Sequence, residues 1–262
     1  MPIAPIEMTV ESQTGTVKRT IEIGSLSGAR FSARDVAATR KQMDEQIARD
    51  GHFTMLTATN PSICRMGRYL LTQDERIEVQ GTMTGGEAEA VAIRDGGEIL
   101  ITIGSDQCDR ELDELFPDKP KQMCPHPIAA TAWPYDEVKD HWDQLRVYSH
   151  VVVGGHTVTL QDTALDTLVD LEYLLAMDTV RQLTDPAFLY CGAAPFVDSL
   201  ARTIKQHGLP EQTEHGIGDR FLARLHDPVL DRSIEHQFTQ VVLGDQLEER
   251  RRFPRPVGRY IK

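Results

Sequence analysis

Two runs of β-forming residues, His150-Val151-Val152-Val153 and His156-Thr157-Val158-Thr159-Leu160, flank the dipeptide Gly154-Gly155. A glycine pair between such runs supplies the positive φ values of a tight hairpin turn, so this stretch is committed to two antiparallel strands. The same pattern recurs along the chain. Glu7–Gln13 and Gly15–Ile23 alternate and read as a hairpin, Ile99–Ile103 is a run of β-formers ending in Gly104, and Phe188–Gly192 reads as a buried strand ending in a turn. Pro61 to Gly97 reads as short strands with turns at Thr84-Gly85-Gly86 and Asp95-Gly96-Gly97, and Gln237–Leu243 as a late strand. Helical signals are fewer. Asp35 is placed to cap a helix running to about Arg49, with Val36, Met43 and Ile47 near the 3.6 period. Asp136–Leu145 and Asp162–Met177 are further helix candidates, and residues 195–235 mix a helix with polar loops. Many strands with a few interspersed helices give a β-rich α+β fold class.

At 262 residues the chain is long enough for one sizeable core, and 40% hydrophobic with 26% charged residues is the composition of a soluble globular protein. The expected organisation is a single domain, 1–262, with an N-terminal hairpin and helix (1–55), a core (56–245) and a basic C-terminal arm (246–262). A net charge of −12 disfavours nucleic acid or an anionic membrane as partner. The arginines of Glu249-Arg-Arg-Arg-Phe-Pro-Arg-Pro then read as a solvated arm or a subunit contact. No apolar run reaches the roughly 18 residues of a membrane span. Met1-Pro-Ile-Ala-Pro-Ile-Glu lacks the basic start and apolar core of an export signal, so the expected location is the cytoplasm. Cys64, Cys108, Cys124 and Cys191 have no C-x-x-C spacing, which argues against a cysteine zinc site and for reduced packing residues.

The chemistry concentrates in one stretch. Glu87 and Glu89 are two apart, so on an extended strand both point to one face. The run Ile99–Ile103 delivers Asp106 at the end of the next strand. Two glutamates and an aspartate from neighbouring strands make a hard oxygen cage suited to Mg²⁺, Mn²⁺ or Ca²⁺. No nucleophile elbow, Walker loop, H-E-x-x-H or dinucleotide fingerprint occurs.

Gly86-Glu87-Ala88-Glu89, Gly104-Ser105-Asp106-Gln107-Cys108-Asp109-Arg110-Glu111-Leu112-Asp113, Lys121-Gln122-Met123-Cys124-Pro125 and Asp140-His141-Trp142-Asp143-Gln144-Leu145 follow one another in this order. Together they resemble the fumarylacetoacetate hydrolase superfamily, and within it an uncharacterised bacterial and fungal branch. The likeness spans roughly residues 55–200. It implies the rolled mixed β-sandwich of the fumarylacetoacetase C-terminal domain with flanking helices, assembled as a homodimer. It also implies a divalent cation, Mg²⁺ or Mn²⁺, on Glu87, Glu89 and Asp106, holding substrate oxygens and stabilising an enolate.

By the same resemblance Arg110 is the substrate-contacting arginine, and Lys121 the lysine that meets the metal-proximal acids or the substrate. A point cation at Lys121 would lower carboxylate pKa values or polarise a carbonyl. The residues alone also allow Arg110 to pair with Glu111 or Asp113. Arg65 falls where the superfamily has a strand lysine pointing into the site, and Gly192 matches a Gly-Thr-Pro turn beside the substrate, with Ala193 in place of the threonine. Asp109 is off the pattern and is expected in a supporting or salt-bridge role. His141 is expected as a hydrogen-bonded structural residue. The superfamily histidine of N-Y-x-x-H has no counterpart, and His52 is the one histidine upstream of the glutamates. The implied function is a divalent-metal-dependent hydrolase cleaving a C–C bond in a small 2-oxo acid or 1,3-dicarbonyl compound. A decarboxylase or hydratase/isomerase on the same site is the alternative, and a non-catalytic small-acid-binding protein on the same fold is the alternative of another class.

Overall fold

A computed structural model describes residues 3–50, 59–113 and 119–243. The chain opens with the hairpin read from its alternation, β1 (Ile6–Ser12) and β2 (Gly15–Ile21), followed by β3 (Ser25–Arg30). Helix α1 (Val36–Asp50) begins where Asp35 Oδ1 accepts the Ala38 N–H at 2.8 Å, the cap expected there. Then come β4 (Ser62–Met66), β5 (Leu71–Thr72), β6 (Arg76–Val79) and the two long strands β7 (Thr84–Asp95) and β8 (Glu98–Asp109), joined by the Gly96-Gly97 turn. Short helices α2 (Arg110–Asp113) and α3 (Lys119–Gln122) follow, then β9 (His126–Pro127) and β10 (Thr131–Pro134). The acidic stretch folds as two 3₁₀ turns, Tyr135–Glu137 and Lys139–Gln144. The glycine-pair hairpin is β11 (Arg146–Val153) and β12 (His156–Ala164). After it come α4 (Leu171–Ala176), α5 (Asp178–Arg181), β13 (Ala187–Tyr190), α6 (Leu200–His207), β14 (Arg220–Asp227) and β15 (Arg232–Val242).

Eight strands form one sheet in the order β2-β1-β10-β8-β7-β13-β3-β4, and five form a second, β12-β11-β14-β15-β6. The inner faces meet through Ala88, Ala90, Ala92, Ile101 and Ile103 of the first sheet and Val147, Val151, Phe221, Leu225 and Phe238 of the second. Alanines on β7 let the sheets approach closely, and the apolar area they cover together is the main stabilising term. The outer face of the large sheet carries a second core. Ile6 and Met8 from one end, Cys64 and Met66 from the other, and Val91, Ile93 and Leu100 from the middle all belong to one buried cluster. Leu26, Ala132, Phe188 and Tyr190 on the strands between them make that cluster continuous across the face. The architecture is the mixed, strand-rich α+β fold expected, with more than one sheet.

Several local readings differ. Thr84-Gly85-Gly86 lies within β7 rather than in a turn, because a Cβ on Gly85 would stand 2.1 Å from the His215 carbonyl oxygen. Gly104 likewise does not end its strand: β8 runs on to Asp109, and a Cβ there would meet the Pro127 carbonyl at 2.7 Å. At both positions glycine serves close backbone approach, not chain reversal. The Asp162–Met177 segment is not one helix: β12 runs to Ala164, a 3₁₀ turn covers Leu165–Thr167, and α4 starts at Leu171. His52 and the basic arm 246–262 lie outside the described residues. Among the described residues no helix is long and apolar enough to cross a membrane.

Candidate active site

The site is a gap left by a strand that stops early. β13 is paired with β7 on one side and β3 on the other as far as Tyr190, which lies opposite Val91 and Gly28. At Gly192 the backbone turns at φ +100°, and its N–H is given to Glu89 Oε2 at 2.7 Å. A side chain is excluded there, since a Cβ would fall 1.7 Å from Ser32 Oγ. The backbone groups of Ala88 that β13 no longer reaches are taken by Gln161, whose amide accepts the Ala88 N–H at 2.8 Å and donates to its carbonyl at 3.2 Å. Between β7 and the segment after β3 this leaves a cavity of about 300 Å³. Glu87, Glu89, Cys108, Arg110, Asp113, Lys121 and Ala193 line it, with Ala29–Ala33 on the far wall.

Register brings the three carboxylates to one face. Glu87 stands opposite Asp106 and Glu89 opposite Gly104, so both glutamates and the aspartate project from the same side of the β7–β8 ribbon. Glu89 and Asp106 are fully buried, whereas Glu87 keeps partial exposure. Asp106 Oδ2 holds the Lys121 ammonium, itself buried. The other oxygen, Oδ1, lies 3.2 Å from His126 Nδ1, and neither atom finds a hydrogen bond. His126 is fully buried, and its Nε2 donates to the Lys121 carbonyl at 2.9 Å, tying the lysine's backbone to the ring that meets the aspartate.

The charges shape one another. Burial raises the Asp106 pKa, but Lys121 and then His126 outweigh it and hold the carboxyl well below the usual range. Burial lowers Lys121, but Asp106 and the two glutamates outweigh it and keep it firmly cationic. Glu89 makes no salt bridge among the described residues: burial first and the Asp106 charge second push it well above a normal carboxyl, against the opposing charge of Lys121. Arg110 stands 3.2 Å from Glu87 and 4.0 Å from Asp113, which keeps it charged against burial, and its Nε and Nη2 are buried without a hydrogen bond.

Lys121, Arg110, Gly192, Glu87, Glu89 and Asp106 are thus brought together. Arg65 is not. Its neighbour Cys64 pairs with Gly28, whose Cβ position is 3.6 Å from Asp106 Oδ2, so Arg65 points to the opposite face, where it is exposed and 3.5 Å from the Thr179 carbonyl. Among the described residues Asp109 has no salt bridge; its Oδ1 accepts the Glu111 and Leu112 N–H groups at 3.1 and 3.2 Å and starts α2. His141 bonds Asp227 at 2.9 Å, the structural role expected. Burial pushes the Cys108 thiol up to about 12, which removes it as a nucleophile. Two features escaped the sequence. Arg30–Ala33 form a wall through the left-handed φ of Phe31, +54°, which no composition signal announces. His126 differs: it directly follows Lys121-Gln-Met-Cys-Pro, and that adjacency was the available signal.

The donor chemistry suits a divalent cation: three carboxylate side chains on one face, an unsatisfied Asp106 Oδ1 and a Glu89 that makes no salt bridge among the described residues. As placed, each carboxylate is turned to an internal partner, and among the described residues no three His, Cys, Asp or Glu side chains already close on one point.

Solved structures with the same architecture include 2-keto-3-deoxyarabinonate dehydratase (TM-score 0.60, 15% identity, covering 87% of this chain and 78% of that one). Others are Cg1458 (0.57, 12%, 86% and 80%) and a putative HpcE protein from Mycobacterium smegmatis (0.55, 13%, 83% and 74%). At these identities the likeness establishes the fold alone, the fumarylacetoacetase C-terminal-domain-like architecture. No curated protein matches the chain. Residues 29–238 match a family described as "Protein of unknown function (DUF2848)", and the chain belongs to that family.

Proposed function

We propose that this protein is an enzyme that acts on a small 2-oxo acid or 1,3-dicarbonyl compound through its enolate. The observation that carries the reading is one cavity in which the half-buried Arg110, its Nε without a hydrogen bond, and the buried Lys121 stand beside the site carboxylates. Arg110 would take the substrate carboxylate through Nε, its Nη2 being paired with Glu87 at 3.2 Å. Lys121, held by Asp106 and by the His126 contact to its carbonyl, would face the oxo oxygen and stabilise negative charge as it develops there. Glu87, Glu89 and Asp106 would hold Mg²⁺ or Mn²⁺, whose contribution is Lewis acidity toward the substrate oxygens.

Loss of CO₂ needs an electron sink and a proton donor, which Lys121 and its surroundings would supply, whereas keto–enol interconversion and loss of water also need a base for the α-proton, a role open to a site carboxylate such as Glu87. C–C hydrolysis also needs a base to activate water. His126, the imidazole that meets Asp106, is sealed beneath Lys121 and engaged by it. Among the described residues no imidazole at the site is free to activate water, which favours a lyase or isomerase over a hydrolase. The test is calorimetric titration of chelator-treated protein with Mg²⁺ and Mn²⁺, then mass-spectrometric screening of 2-oxo acids with the ion present. Saturable binding weakened at least tenfold by Glu87→Gln, with loss of water or CO₂ from one substrate group, is expected. Absence of ion binding by folded protein would overturn the metal assignment, and cleavage into two acids would restore the hydrolase.

A further inference from the structure

The cavity has a buried floor and a half-open rim, and the rim carries two paired residues. Arg30, the last residue of β3, reaches Asp113 at the end of α2, with Nη2 to Oδ1 at 3.0 Å. Asp113 Oδ2 lies 4.0 Å from Arg110, whose other side meets Glu87. The wall therefore alternates in sign, Arg30, Asp113, Arg110, Glu87, and sums to zero. Lys121, the cation of the floor, is likewise matched by Asp106. Phe31 fixes the approach: its φ of +54° is a strained choice for an aromatic residue, and its ring lies 5.4 Å from the Arg30 guanidinium carbon.

We propose that the Arg30–Asp113 pair determines specificity by reading a neutral hydroxyl or carbonyl at the far end of the substrate and rejecting a second carboxylate. The inference rests on the reading of the site as one for a small 2-oxo acid. A hydroxyl is donor and acceptor at once, so it can accept from Arg30 and donate to Asp113 without separating them. A carboxylate only accepts, and would have to compete with Asp113 for Arg30 while lying against a like charge. An alkyl tail would cover a partly buried ion pair and offer it nothing in exchange for water. A cavity of about 300 Å³ is at the small end of ligand sites, so one substrate cannot occupy the floor and avoid the rim.

The experiment measures dissociation constants, by calorimetry with Mg²⁺ present, for three acids of similar size: 4-hydroxy-2-oxopentanoate, 4-methyl-2-oxopentanoate and 2-oxoglutarate. Wild-type protein is expected to bind the hydroxy acid at least tenfold tighter than either of the others. Asp113→Asn, which keeps the shape and removes the negative charge facing Arg30, is expected to reverse the order in favour of 2-oxoglutarate. Arg30→Gln, a second variant at the same contact, is expected to bring the hydroxy and methyl acids within threefold of each other. Equal or tighter wild-type binding of 2-oxoglutarate, or an unchanged order in folded Asp113→Asn, would overturn the specificity assignment while leaving the functional reading in place. Failure of folded wild-type protein to bind any of the three would overturn both.

Discussion

Replacing Lys121 by methionine removes the cation from a carboxylate that has no access to water. Asp106 is fully buried, with Lys121 on Oδ2 and only an unbonded contact to His126 on Oδ1. Breaking a buried ion pair from one side costs about 3–5 kcal/mol, because the remaining charge stays desolvated. With an m-value near 3 kcal/mol/M, the urea midpoint at neutral pH would fall by about 1–1.7 M. The pH dependence identifies the cause. In the wild type Asp106 lies below its unfolded pKa of about 3.9, so its contribution is fully present above that pH and is lost as pH falls through the folded value. Without Lys121, burial lifts Asp106 above 3.9, and the variant loses stability as pH rises, at up to about 1.4 kcal/mol per pH unit. The gap between the two proteins should therefore widen from pH 4.5 to pH 7.5. Adding Asp106→Asn to Lys121→Met should recover at least half of the loss. A gap under about 1 kcal/mol at pH 7.5 that does not vary with pH would refute the account of the floor as a tightly held pair.

Three further outcomes follow from the geometry. Glu89 is raised above a normal carboxyl, so its penalty is absent below about pH 4 and grows as pH rises through the window up to its folded value. Chelator-treated Glu89→Gln should therefore melt higher than wild type at pH 8 and show no advantage at pH 4, read by differential scanning calorimetry. Gly192→Ala combines a left-handed backbone with a Cβ set against Ser32 and should cost about 2–4 kcal/mol in urea unfolding, a loss that Ser32→Gly relieves in part by clearing the clash. Arg65→Ala should change stability by less than about 0.5 kcal/mol and leave acid binding within twofold, since that side chain is exposed on the face away from Asp106.

What the sequence disclosed depended on the range of the physics involved. Alternation and turn chemistry are local, so the β1–β2 and β11–β12 hairpins and the Asp35 cap could be read directly. A two-residue spacing fixes a face, so Glu87 and Glu89 were legible as partners before their strand was known. Glycine was ambiguous. At Gly96-Gly97 it makes a turn, whereas at Gly85 and Gly104 it admits another segment's backbone, and only tertiary structure separates the two uses. Arg65 was misplaced because one residue's shift on a strand exchanges faces, a choice the surrounding sequence does not encode. The wall from Arg30 to Ala33 was invisible because it depends on where β13 ends, some 160 residues away.

That early ending separates the size of the site from its chemistry. The cavity exists because β13 leaves the sheet after Tyr190, while its charged groups sit on β7, β8 and the segments around Lys121 and Arg30. Lengthening β13 by two residues, in register between β7 and β3, would fill the slot and silence the protein with every ionisable side chain in place. Shortening it would enlarge the chamber. Relatives that keep the same carboxylates and cations can therefore diverge in substrate length through insertions or deletions after Tyr190, a position where no reactive group would record the change.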